Sequence, residues 1–217
     1  LSRLDYYKLY GPTAGDRISL ADTGLVIEIE KDYCAAQYGD ECISGGGKSA
    51  RDGMGLTSGL TPEEGALDVV LTNMILLDPV AGIIKGDLGI KNGRIVGIGK
   101  AGNPNTMDIS PGLIVSAATE IISGSGGLIA TPGGVDCHIH FMCPEQVWES
   151  LANGVTTMVG GGSGAKTISV ETTISGFRYM IESHEALPVN AGFFSRGASC
   201  LPAVIEKSIR SGSIGIK

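Results

Sequence analysis

The chain has no apolar run near the ~20 residues that a helix needs to cross a bilayer, which argues against a membrane partner. It has no surplus of basic charge either. Sixteen Lys and Arg stand against 23 Asp and Glu, a formal charge of −7. A nucleic-acid partner calls for clustered cations facing phosphates, so this balance argues against that class while leaving a neutral small substrate open. There is no Cys-x-x-Cys pair, and no basic-then-apolar leader opens the sequence. The five cysteines, Cys34, Cys42, Cys137, Cys143 and Cys200, read as reduced thiols in a cytoplasmic protein.

What is abundant is glycine, 34 of 217 residues, which implies many tight turns and close backbone approaches. With 42% hydrophobic and 18% charged residues the chain can bury a core. Its rhythm divides in two. In residues 1–130, Leu4–Tyr10 reads as a short helix ending at Gly11-Pro12, and Leu25–Glu30 alternates as a strand does. Residues 67–130 read as a small β-rich sandwich or barrel. Asn92-Gly93 marks a hairpin between Leu88–Lys91 and Arg94–Ile98, and Leu113–Val115 and Gly127–Ala130 read as further strands. Residues 131–217 alternate strand and helix. Val135–Phe141, Val155–Val159, Val189–Phe194 and Ile214–Lys217 read as strands. Pro144–Ala152, Phe177–Ala186 and Leu201–Arg210 read as the helices between them. This βαβαβαβ order is that of a parallel sheet, and it fits the first four strands of a (β/α)8 TIM-type barrel. A whole barrel takes about 250 residues, so the barrel is expected to continue beyond Lys217.

The chemistry concentrates at two strand ends. In Asp136-Cys137-His138-Ile139-His140 the two histidines are two residues apart, so on a strand both imidazoles face one side and can hold one cation. Asp136 shares that face, deeper, and can orient a ligand by hydrogen bonding. The plain alternative is a pair of structural histidines. Lys217 ends the fourth strand. The plain reading is a charged residue at a strand end. A functional reading needs a partly buried, neutral amine, which CO2 converts to a carbamate whose two oxygens can bridge two cations. Two cations about 3.5–4 Å apart acidify water and polarise a carbonyl, which points to hydrolysis of a C–N bond in an amide, imide or urea. Other features read as structural. His184 is expected on a helix surface and Cys137 packed away from the histidines, and the role of Cys143 is open. Gly160–Gly164 reads as a loop lining a small pocket, because no Gly-Lys-[Ser/Thr] phosphate motif follows it.

The stretch Thr131-Pro132-Gly133-Gly134-Val135-Asp136-Cys137-His138-Ile139-His140 resembles the amidohydrolase superfamily, which includes hydantoinases and dihydroorotases. Tyr10–Arg17, Gly45–Lys48 with Arg51–Met54, Gly86–Lys100, Gly154–Met158 and Gly212–Lys217 resemble the urease catalytic (alpha) subunit family across the whole chain. That resemblance implies urea as substrate and two Ni(2+), with Fe or Zn also suited to such ligands. It implies His138 and His140 on one metal and Lys217, as N6-carboxylysine, bridging both and serving catalysis. It places two further histidine ligands, an aspartate ligand and two catalytic histidines beyond Lys217. It implies smaller beta and gamma subunits, separate or fused, trimer-based assembly, and accessory proteins that deliver metal and CO2.

The sequence departs from the family's pattern in the loop 163–177, where Lys166 stands in place of the alanine whose backbone carbonyl contacts urea. Glu145 stands where a glutamine is usual. Two alternatives remain at this point: a hydrolase of cyclic amides with the same half-site, and a non-catalytic relative that keeps the fold.

Overall fold

The computed structural model describes residues 2–34, 55–141, 144–161, 171–197 and 199–217. They form two compact units, Leu1–Pro132 and Gly133–Lys217. In chain order the first unit carries α1 (Arg3–Tyr10), β1 (Arg17–Ser19), β2 (Val26–Glu28), β3 (Lys31–Asp32), β4 (Val69–Asp78), β5 (Gly82–Lys91), β6 (Arg94–Gly99), β7 (Glu120–Ser123) and β8 (Ile129–Ala130). The second carries β9 (Gly134–His140), α2 (Gln146–Ala152), β10 (Val155–Gly161), β11 (Glu171–Thr172), α3 (Phe177–His184), β12 (Asn190–Ser195), α4 (Pro202–Arg210) and β13 (Gly215–Ile216).

The first unit is built on a six-stranded mixed sheet centred on β4 and β5. Asn92 and Gly93 have φ of 51° and 69°, the double left-handed turn that this dipeptide favours, and they join β5 to β6. Leu113–Val115, expected as a strand, makes one isolated bridge from Ile114 to Gly102. Leu113 and Val115 instead serve as core side chains beside Leu67, Val70 and Ala101. β4 is interrupted at Thr72-Asn73. The register shifts there, Asn73 has φ 54°, and its N–H donates to Asp87 Oδ1 at 2.8 Å.

Asp87 belongs to a buried polar cluster that periodicity gave no reason to expect. Its carboxylate also accepts the Ala101 N–H at 2.7 Å and the Cys34 thiol at 3.3 Å. Lys85, two residues earlier on β5, is fully buried, with Nζ 3.6 Å from Asp32 and 3.3 Å from the Tyr6 hydroxyl. Thr13 Oγ1 donates to the same Asp32 carboxylate at 2.6 Å. The cluster thus ties the segment carrying α1 and β3 to β5. Burial, with the nearby charges of Asp87 and Asp32, pushes the Cys34 thiol well above its usual range, so it is an inert thiol.

Burial also pushes the Asp87 carboxyl up to about 6, against the lowering pull of the Ala101 and Asn73 amides, Cys34 and Lys85. The folded chain therefore holds a proton that the unfolded chain has released between about pH 4 and 6. Stability from this group is greatest below that window and falls as pH rises through it. Guanidinium denaturation of wild type and Asp87→Asn across pH 4.5–7 checks this. The wild-type advantage is expected to shrink with rising pH, by at most roughly 3 kcal/mol for a shift of about two units.

The second unit is a parallel sheet in which β9 pairs β10, β10 pairs β12, and β12 pairs β13, while β11 adds to β12 at Phe194 and Ser195. The helices fall between strands, as the βα rhythm predicts. Ile139, Phe141, Val147, Met158, Phe177, Met180 and Phe193 form its core. His184, expected on a surface, is 7% exposed. It shares a helix face with Phe177 and Met180, the three standing at i, i+3 and i+7. Its ring meets Phe141 and Phe193 edge-on, at centroid distances of 4.7 and 5.4 Å. No described helix is long and apolar enough to cross a membrane.

Candidate metal centre at the strand ends

β9 brings the histidine pair to the carboxyl end of the sheet, and an irregularity in its pairing shapes that end. Asp136 pairs with Met158 and Ile139 with Gly160, so Cys137 and His138 together oppose Val159 alone. This is a β-bulge, a device that bends a strand and re-aims side chains. It explains why Cys137 is exposed and not packed as expected. The bulge leaves the His138 N–H outside the ladder, and Asp136 Oδ1 accepts it at 3.0 Å. Asp136 therefore supports His138 through the backbone rather than through the imidazole, and its side chain is exposed rather than deep.

The His138 and His140 rings lie 5.7 Å apart, centroid to centroid, and inclined at 46°. Ile139, between them, is buried on the opposite side, against the core. Across the sheet, β13 aligns with the end of β12, Phe194 opposite Gly215 and Ser195 opposite Ile216. The next residue is Lys217. Its Nζ lies 2.8 Å from His138 Nδ1, a contact between side chains 79 residues apart. Lys217 is exposed and not partly buried, because β13 has β12 as its one strand partner among the described residues.

Lys166, Cys143, Cys42, the Gly45–Lys48 and Arg51–Met54 motifs, and Gly162–Gly164 lie outside the described residues. Among the described residues no three His, Cys, Asp or Glu side chains gather to hold a cation. The convergent set is two imidazoles and one amine. It is neutral in its ligand form and has no anionic oxygen of its own. Carbon dioxide on the amine would supply one at the place where the imidazole already meets it, so the donor chemistry fits a cation pair with a bridging carboxylate.

Two family models divide the chain between them: the urease alpha-subunit N-terminal domain over residues 1–122, and the amidohydrolase family over residues 129–214. The chain belongs to the urease alpha-subunit family. Among its relatives are urease subunit alpha of Natronomonas pharaonis, 47% identical over 218 residues, and that of Edwardsiella ictaluri, 48% identical over 222. A third, from Haloquadratum walsbyi, is 48% identical over 218 residues. Each match covers 100% of this chain and 38% of the relative, so the chain spans well under half the length of these curated proteins. A solved structure, the L-hydantoinase (dihydropyrimidinase) of Arthrobacter aurescens, aligns with a TM-score of 0.52 at 20% identity. It covers 69% of this chain and 32% of its own. That likeness shows the fold. The strand–helix unit of this urease-family chain is a segment of a (β/α)8 barrel, preceded by the β-rich unit.

Proposed function

We propose that the chain is the leading part of a urease catalytic subunit, which hydrolyses urea to ammonia and carbamate at a centre of two metal ions, nickel by family resemblance. The observation that carries this reading is the 2.8 Å approach of Lys217 Nζ to His138 Nδ1 beside the His140 ring. In this reading residues 131–217 are the first half of the barrel, and the family's remaining ligands lie outside this sequence.

Each residue has a defined task. His138 and His140 would hold one metal through ring nitrogens. Lys217, as a carbamate, would supply the anionic oxygens shared by the pair. Its free amine attacks the carbon of CO2, an N–C bond forms, one C–O π pair moves onto oxygen, and the nitrogen proton leaves to solvent. Asp136 holds the bulge that aims His138, and by resemblance the family's urea-contacting carbonyl falls at Lys166. Bound cations would supply Lewis acidity at the C–N carbon under attack by water. In the same reading the whole protein would assemble with beta and gamma subunits, separate or fused, on a trimer-based plan and take its metal from accessory proteins. The free thiols Cys34, Cys137 and Cys200 are in keeping with a cytoplasmic setting.

The test is ammonia release from urea by the full-length protein, with metal analysis alongside. Turnover with about two metals per site supports the reading. Metal-free protein, or turnover of cyclic amides in preference to urea, contradicts it.

A further inference from the structure

We propose that Ser213 is a positioning residue for Lys217, locking the short strand β13 onto β12 at the one register that delivers the amine to His138. The inference rests on the proposed role of Lys217 and assigns the means by which this chain places it. β13 is two residues long and pairs with two residues of β12. So short a ladder specifies register weakly. A slip of one residue would turn the Lys217 side chain to the opposite face of the sheet, away from the histidines.

Ser213 immediately precedes this strand and supplies what the ladder lacks. Its Oγ accepts the Ser195 N–H at 3.0 Å and the Gly215 N–H at 3.3 Å. Its own proton is within reach of two carbonyls, Gly215 in a short contact and Phe193 at 3.4 Å. One half-buried hydroxyl therefore binds both strands at once. Ser195 is fully buried, so the N–H it donates to Ser213 has no water to turn to instead. Backbone bonds on either side complete the register: Ile214 N–H to the Phe193 carbonyl at 3.0 Å, and Lys217 N–H to the Ser195 carbonyl at 2.9 Å. A Cβ on Gly215 would meet the Phe194 ring at 2.9 Å, so the pairing is also sterically matched at its centre. With Lys217 directly after β13, the hydroxyl governs where an otherwise long, free side chain begins.

A residue that only stabilised the fold would change the melting temperature and leave the carbon dioxide equilibrium alone. A positioning residue changes that equilibrium. Full-length wild type, Ser213→Ala and Ser213→Thr would be titrated with 13C-bicarbonate in the presence of zinc(II), a diamagnetic ion that suits the same ligands and leaves the carbamate carbon observable, reading that carbon by NMR, bound metal, and melting temperature. Ser213→Ala is expected to need about fivefold more bicarbonate for half-maximal signal, the equilibrium worth of one neutral hydrogen bond. Ser213→Thr, which keeps the hydroxyl, is expected to restore the wild-type midpoint. Should the alanine variant fail to fold, Ser213→Cys gives the same comparison with a weakened bond. Equal midpoints in wild type and the hydroxyl-deficient variant overturn the positioning role. An absent carbamate signal in wild type contradicts the role of Lys217 itself, and the two failures are thus told apart.

Discussion

Replacing His138 by alanine in the full-length protein is expected to reduce urea hydrolysis by more than about 100-fold. Residues that merely support metal ligands cost 10- to 100-fold when lost, and a ligand should cost more. His138 carries the site in two ways. It is one of the two imidazoles on the exposed face of β9, and its Nδ1 is the group nearest the Lys217 amine. Its loss should therefore lower both metal content and carbamate. His140→Ala should remove one imidazole and leave the His138–Lys217 pair, so a smaller loss of carbamate with a comparable loss of activity is expected. Ammonia assays with metal analysis on both variants check this. Wild-type turnover by His138→Ala contradicts its metal role.

Gly160→Ala is expected to destabilise the barrel unit by about 3 kcal/mol or more, at the upper end of what inserting one methyl group into packed structure costs. A Cβ on Gly160 would fall 1.9 Å from the Ile139 carbonyl oxygen and 2.7 Å from its carbon. These are backbone atoms of the paired strand, which cannot swing aside as a side-chain tip can. Ile139 lies between His138 and His140 and pairs with Gly160 directly after the bulge. Any separation of β9 from β10 thus moves both imidazoles. Calorimetry should show a lowered melting temperature for the variant, and metal analysis a lowered occupancy at temperatures where it is still folded. A variant with unchanged melting would show that the strands separate at no cost.

The parts of the fold that followed from sequence are those where local chemistry and tertiary packing agree. Asn92-Gly93 turns where its backbone preference says it should. Gly11, at φ 81°, ends α1 where a Cβ would strike the Ser125 carbonyl. The alternation of strand and helix after residue 131 matches the barrel segment because each helix has one apolar face for the sheet. What escaped the sequence reading depends on partners distant in the chain. Lys85 and Asp87 lie before the Leu88–Lys91 stretch, and periodicity attaches no expectation to them. Only the parallel approach of β3, with Asp32 opposite Lys85, gives the buried Lys85 ammonium its carboxylate partner. Charges at alternate positions beside Ile83-Ile84 were the signal available.

At the candidate site the spacing of His138 and His140 and the position of Lys217 were legible, because period-two geometry and βα order place them at the same end of the sheet. The bulge at Cys137-His138 was not legible. It arises from the mismatch of β9 against β10, and so the bond from the His138 N–H to Asp136 could not be read from spacing. His184 was misjudged because a helical histidine next to Glu182 and Glu185 reads as surface, although Phe177 and Met180 share its face.

The most direct measurement is a crystal structure of the full-length metal-loaded protein, with anomalous scattering collected at the nickel edge and density inspected at the Lys217 tip. The account predicts a planar three-atom extension of Nζ reaching two anomalous peaks, one of them bound by His138 and His140. A bare ammonium against the His138 imidazole, with no anomalous peak nearby, would contradict it.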